Sequence, residues 1–298
     1  DILGAPIGTA DHCDEWVKSK AIRKTTKLMA HLDKLDSPHH AYMLLRYCLS
    51  FSRMVFFLRA IPVDCLLRAC DLFDQAVLQG LQSITYYKFD DNAIIQSSLR
   101  LANGGLGLRK SKQHHPAAYY ASFRQSRDLI CGFTSPLDWN NMPHFVSART
   151  KLSETIPDFK VEDSSTQRDL SARTDLLQKE RLFNSFDGTR NKARLNAVSA
   201  PRASAIFSCF PSSKIGYGLT SDEWNVTVAR NLGLKIFTEP FHCPARGCDK
   251  TMDVYGDHAL VCSCKGDRIR RHNAERNVIH NDMRVAGFSP VLEPEHIL

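Results

Sequence analysis

Four metal-capable side chains crowd into one short stretch of the chain: Cys243, Cys248, His258 and Cys262, separated by four, nine and three residues. Thiolate and imidazole ligands suit the tetrahedral preference of zinc, and a His and a Cys one helical turn apart can close a site opened by a short cysteine loop. The spacing therefore predicts a structural Zn2+ ion on these four residues, with Gly247 and Gly256 supplying the turns between them. Cys264, two residues past Cys262, and His242 stand as alternative ligands. Without a metal the same cysteines would pack as small hydrophobes.

Directly behind the ligands come Lys265, Arg268, Arg270, Arg271, His272 and Arg276, opposed by Asp267 and Glu275, on a segment expected to be helical to about Ala286. Arg268, Arg271, His272 and Arg276 fall at offsets of three, four and eight residues, one stripe of a helix. Forked guanidinium donors on such a stripe suit phosphate oxygens, so these six basic residues are the expected nucleic-acid contacts, with RNA or DNA as partner. A plain solvated helix face is the alternative reading.

No catalytic residue is assigned. Gly104, Gly105 and Gly107 lack the Lys-Ser/Thr that completes a phosphate-binding loop, so they predict a tight turn. Asp11, His12, Cys13, Asp14 and Glu15 are adjacent and point in different directions, which reads as the amino end of a helix. Neither a Ser/His/Asp signature nor a Tyr-Ala-Asp-Asp-type pair of carboxylates is present.

The elements that must position these residues are mainly helical. Asp1 to Gly8 reads as a short strand and turn. From Asp14 to Leu35, Val17, Ala21, Leu28, Leu32 and Leu35 form one amphipathic stripe, which Ser37 and Pro38 stop. A second helix, His40 to Ala60, is apolar nearly all round and is expected to be buried on most sides. A third, Val63 to Ile84, puts Leu66, Cys70, Phe73, Val77, Leu81 and Ile84 on one face. Short connections then imply an antiparallel bundle. Another helix follows Asp90, a further one begins near Pro116, and Ser165 to Phe186 reads as an exposed, charge-rich helix. The loop Ser135 to Pro143 and the polar run Val161 to Gln167 predict a boundary near 150 to 165. Small and apolar residues alternate from Ala200 to Pro211, and Ser221 to Trp224 reads as a helix start.

Composition narrows the class. Hydrophobic residues at 43% and charged residues at 24% argue against wholesale disorder, and a net charge of +7 favours an anionic partner. Arg46 and Arg53 interrupt the most apolar stretch, Ala41 to Leu58, which reads as a core helix rather than a membrane span. Six of the ten cysteines are scattered singly, and no secretory leader is visible. The expectation is an intracellular protein, nuclear or cytoplasmic, with reduced cysteines and no membrane partner. The absence of an initiating Met suggests a fragment.

The order of these features resembles the non-LTR-retrotransposon-type reverse transcriptases. Leu3-Gly4-Ala5-Pro6-Ile7-Gly8 is similar to the primer-grip segment that follows the polymerase palm. Asn103-Gly-Gly-Leu-Gly-Leu108 with His115-Pro-Ala-Ala-Tyr119-Tyr-Ala-Ser122 resembles the family's Gly-Gly-Leu-Gly-Ile box and its succeeding helix. Ala193-Arg-Leu195 through Pro201 and Gly218-Leu219 to Leu234 look like the connector ahead of its zinc region. Gly256-Asp-His258-Ala-Leu-Val-Cys262 with Arg268-Ile-Arg-Arg271-His272-Asn273 is similar to its zinc knuckle and Arg-His-Asn helix. Val291-Leu-Glu-Pro294 resembles the approach to a restriction-like endonuclease.

The resemblance implies a carboxy-terminal portion of such an enzyme: a palm-end segment at 1–8, a thumb-like bundle at 9–150, a helical connector at 151–240, and at 241–298 a CCHC knuckle, basic helix and truncated endonuclease start. The thumb would hold template-primer and the knuckle template or target DNA, while the catalytic carboxylates of polymerase and nuclease fall outside these residues. The first two cysteines stand further apart than in the commonest knuckles. A second class, a domesticated or decayed remnant acting as a zinc-stapled protein-interaction module, shares the same knuckle.

Overall fold

Partway along the first helix its buried stripe shifts by one residue. α1 (Ala10–Val17) starts at Thr9, whose hydroxyl accepts the His12 N–H, and a π turn at Lys18–Ile22 joins it to α2 (Arg23–Met29). A π turn takes up an extra residue. The buried positions are therefore Cys13, Val17, Ile22, Thr25, Met29 and Leu32, while Leu28 and Leu35 of the expected stripe are exposed. Thus a simple 3.6-residue period places Val17 and Leu32 on the buried face but misplaces Leu28 and Leu35.

This computed structural model describes residues 1–133, 138–160, 165–212, 217–264 and 267–292. Parts of the expected Ser135 to Pro143 loop and Val161 to Gln167 run, the basic Lys265, and the end of the Val291 to Pro294 motif lie outside the described residues. The segment expected as a strand at the start is a tight turn, with an isolated bridge between Ile2 and Ala5 and positive φ at Leu3 and Gly4.

The second helix is also broken. α3 (Pro38–Leu44) passes through a π turn at Leu45–Leu49, Ser50 leaves helical geometry at φ −96°, ψ −137°, and α4 (Val55–Ala60) follows a 3-10 turn. Pro38–Ala60 is long and apolar enough by composition to cross a membrane. Here Tyr42, Leu45, Met54 and Leu58 are fully buried in protein, whereas Leu44, Tyr47 and Phe56 remain half exposed. The segment is a bent core element, less enclosed than its composition predicts.

α5 (Leu67–Thr85) buries Cys70, Phe73, Val77, Leu81 and Ile84 as its periodicity requires. α6 (Asp91–Ser98) is capped by Asp90. α7 (Ser111–Cys131) begins five residues before Pro116 because a distant carboxylate caps it: Asp74 accepts the Ser111 and Lys112 N–H groups at 2.6 and 3.1 Å. Burial lifts the Asp74 carboxyl to about 6, against the pull of those two amides. α8 (Pro143–Thr155) and α9 (Gln167–Ser185) both pack on α7. Tyr120, Phe145, Leu152, Ile156 and Leu170 share one core, and the Tyr120 and Phe145 rings stack at 5.1 Å. The expected boundary near 150 to 165 therefore falls inside a shared core.

The Gly-Gly-Leu-Gly segment is a clasp. A Cβ on Gly105 would stand 2.1 Å from the Leu99 carbonyl oxygen, so only glycine fits. Leu106 is fully buried, and its carbonyl accepts the Tyr42 hydroxyl at 2.7 Å. The Gly104 carbonyl accepts Gln96 Nε2 at 2.8 Å and Asn231 Nδ2 at 3.1 Å. Arg194 donates to Gln96 Oε1 at 2.9 Å and to the Asn231 carbonyl. These bonds tie α10 (Thr189–Val198) and α11 (Ser221–Leu232) to the bundle. α11 starts where expected, in a Thr220/Glu223 capping box, and buries Trp224 completely.

The chain divides into two compact units, Asp1–Leu234 and Lys235–Leu298. The second contains β1 (Phe241–His242) paired antiparallel with β2 (Thr251–Met252), then α12 (Asp257–Val261) and α13 (Asp267–Val285). With 66% helix and 2% strand the fold is mainly α, as the patterning predicts.

Candidate metal centre and basic helix

The metal centre is built from a hairpin and one helical turn. β1 and β2 pair Phe241 with Met252 and His242 with Thr251, and the Cys243 N–H continues the ladder to the Lys250 carbonyl at 2.9 Å. Between them Gly247 adopts φ +83°, and the Cys248 N–H closes on the Ala245 carbonyl at 3.0 Å. This turn brings Cys248 back beside Cys243. Gly256, at φ +71°, then opens α12, where Cys262 N–H bonds the His258 carbonyl at 2.9 Å and sets both side chains on one side.

The four ligand atoms lie within 4.8 Å of one another, and all four residues are buried. Cys243 Sγ is 4.0 Å from Cys262 Sγ, Cys262 Sγ is 3.9 Å from Cys248 Sγ, and Cys248 Sγ is 3.4 Å from His258 Nε2. Zinc bond lengths give tetrahedral edges of about 3.8 Å between sulfurs and about 3.6 Å from sulfur to nitrogen, close to these spacings. Disulfide sulfurs stand at about 2.0 Å, so no pair here is bonded. The donor set and its geometry can hold a metal ion such as zinc. The local core consists of Cys243, Cys248, Met252 and Cys262 with Phe237 and Ala245 at its edge, which is little apolar surface to hold a fold by itself.

Electrostatics prepare one thiol in particular. The Lys250 backbone N–H, helped by His258, draws Cys248 down to about 6 and so toward the thiolate that binds metal. At Cys243 the Ala245 N–H pulls the same way, but burial and the neighbouring thiols outweigh it and leave that group raised. Cys264 stands beside the cluster with its thiol 3.5 Å from the Gly247 carbonyl, and burial raises it to about 11. The four side chains gathered within 4.8 Å include Cys262, while Cys264 and the exposed His242 stand outside that group.

Asp253 is a positioning residue that spacing did not single out. Its carboxylate accepts the N–H groups of Tyr255, Asp257 and His258 at 2.9, 3.2 and 2.9 Å, which fixes the first turn carrying His258. Burial would raise its carboxyl, yet those three amides hold it below the usual range. An Asp two residues before a Tyr-Gly pair is a turn signal that could have marked it.

The basic stripe lies on α13 as expected. Arg268, Arg270 and His272 are exposed, Arg271 and Arg276 half-buried, and Lys265 is outside the described residues. Arg276 reaches Asn277 Oδ1 at 3.3 and 3.2 Å through two of its nitrogens. The face running through Arg268, His272 and Arg276 continues, at helical spacing, into exposed Ile279 and Met283.

Fold and site together define a class: a helical unit followed by a small Cys3His metal knuckle with a cationic helix. Comparison with protein-family models, curated proteins and solved structures finds no match to this chain.

Proposed function

We propose that this chain is the nucleic-acid-binding carboxy-terminal portion of a non-LTR-retrotransposon-type reverse transcriptase, with Zn2+ as a structural ion in its knuckle. One observation carries the reading: a buried Cys3His set with near-tetrahedral spacing, followed within a few residues by an exposed basic helix. The knuckle would fix the start of α13, and the arginines would grip phosphates of template RNA or target DNA. The helical unit would act as the thumb that holds template-primer, and its Gly-Gly-Leu-Gly clasp supports that resemblance by joining bundle to connector. Catalysis belongs to the parent enzyme, and coding sequence flanking this chain should hold a Tyr-Ala-Asp-Asp-type palm upstream and a Pro-Asp…Asp nuclease downstream.

The test is salt dependence. Each phosphate contact to duplex DNA contributes about 0.9 to the slope of log affinity against log salt, so Arg268→Ala with Arg271→Ala should lower the slope by roughly 2. Sequence preference should stay as it was, and Lys160→Ala should leave the slope alone. A double variant that keeps its metal, its affinity and its slope refutes the reading. The interaction-module alternative would then gain from the exposed Ile279 and Met283 beside the stripe, because apolar residues on a helix face suit a protein partner.

A further inference from the structure

A cleft of about 680 Å3 opens between α4, α7 and the first turn of α9 in the helical unit. Its lining carries four guanidinium groups, on Arg59, Arg109, Arg124 and Arg168, and no carboxylate among the described residues. Arg109 is committed, donating to the fully buried Asp175 at 2.9 Å, with His114 Nε2 on the other oxygen at 3.3 Å. Among the described residues Arg59 is oriented by amides and paired with no carboxylate: it donates to the amide oxygens of Gln167 at 2.7 Å and Gln125 at 3.0 Å. Amide oxygens fix a guanidinium in place and leave its full charge for a third party.

Ser171 supplies a second, independent observation. It lines the same cleft, is 1% exposed, and its hydroxyl has no hydrogen-bond partner among the described residues. A buried hydroxyl left unpaired is destabilising, a cost that a ligand oxygen would remove. The first turn of α9 adds the positive end of a helix of 19 residues. In that turn Asp169 is occupied by the Thr166 hydroxyl and N–H at 2.7 and 3.1 Å.

We propose that this cleft binds a phosphate group, with Arg59 of α4 as a charged donor on one side and Arg168 and the Ser171 hydroxyl of α9 on the other. Donors brought by two separate helices fit a tetrahedral oxyanion better than a flat carboxylate. The group can come from a free or terminal phosphate or from the diester backbone of a nucleic acid. The site stands on the helical unit alone and is independent of the metal knuckle.

The experiment is calorimetric titration of the full chain carrying Arg268→Ala and Arg271→Ala, which weakens the basic helix as a competitor. One arm uses inorganic phosphate and the other a DNA hexanucleotide without terminal phosphates. Binding in at least one arm is expected. Arg59→Gln should weaken it roughly tenfold or more, Ser171→Ala by roughly threefold to tenfold, and Lys88→Gln not at all. Tighter binding in the phosphate arm identifies a small or terminal phosphate; tighter binding of the strand identifies the backbone. Circular dichroism checks each fold, and the exposed Arg168→Gln serves where Arg59→Gln unfolds. Absence of binding in both arms at millimolar concentration, or binding indifferent to Arg59→Gln and Arg168→Gln, overturns the proposal.

Discussion

Replacing Gly105 with alanine would place a methyl carbon 2.1 Å from the Leu99 carbonyl oxygen, 2.5 Å from its carbon and 2.6 Å from the Gln96 carbonyl oxygen. All three are backbone atoms, so no side chain can rotate away, and the clasp must open by roughly 1 Å. The Leu99 carbonyl accepts the Gly107 N–H at 2.8 Å, and the neighbouring Leu106 and Leu108 N–H groups both reach Ser97. Losing about two such bonds at about 1 kcal/mol each, with overpacking strain of about 1–3 kcal/mol, gives roughly 3–5 kcal/mol. The three tryptophans, Trp16, Trp139 and Trp224, all belong to the Asp1–Leu234 unit, so fluorescence during urea unfolding reports on that unit. Gly104→Ala, at φ +79° but against the side chains of Val198 and Ser199, should cost less, about 1–3 kcal/mol. Gly188→Ala meets open space and should stay within about 1 kcal/mol of the unaltered chain. A Gly105→Ala protein as stable as Gly188→Ala would refute the steric argument.

Metal analysis of chain purified in reductant without chelator should find one zinc per chain, retained after Cys264→Ser and lost after Cys262→Ser; the reverse pattern would move the fourth ligand to Cys264. Phe73→Ala should cost roughly 3–5 kcal/mol in a denaturant titration, since the ring is 1% exposed, whereas Arg68→Ala, an exposed partner of Asp11 and Asp14, should cost far less. Equal losses would mean the helix face is misassigned. Burial holds the His115 imidazole down to about 4, below its unfolded value, so its contribution is complete above about pH 6.5 and is lost as pH falls toward 4. Asp74, raised to about 6, acts in the opposite sense, gaining stability as pH falls through 6. The His115 effect is therefore read as the difference between the stability curves of the unaltered chain and His115→Gln, and a difference independent of pH between 7 and 4 would contradict it.

Two parts of the protein are written locally and can be read from residue order. The metal ligands fall within twenty positions, and turns at Gly247 and Gly256 suffice to gather them. The α5 stripe is likewise local, because a regular helix converts spacing directly into a face, and Phe73, Val77, Leu81 and Ile84 are buried as a result. The π turn at Lys18–Ile22 and the bend at Ser50 carry no Gly or Pro to announce them; packing against the rest of the bundle selects them.

Tertiary structure alone decided the contacts made across long stretches of chain. Asp74 caps a helix 37 residues away and so moves its start ahead of Pro116. The core of Tyr120, Phe145 and Leu170 joins segments whose polar connection reads as a boundary. Gln96, Arg194 and Asn231 meet over the Gly104 carbonyl only once the clasp has closed. The Arg59, Arg168 and Ser171 cleft has no sequence signature for the same reason. Spacing along a chain encodes only what one helix or one turn can bring together, whereas a charged cleft is assembled from elements that share no period.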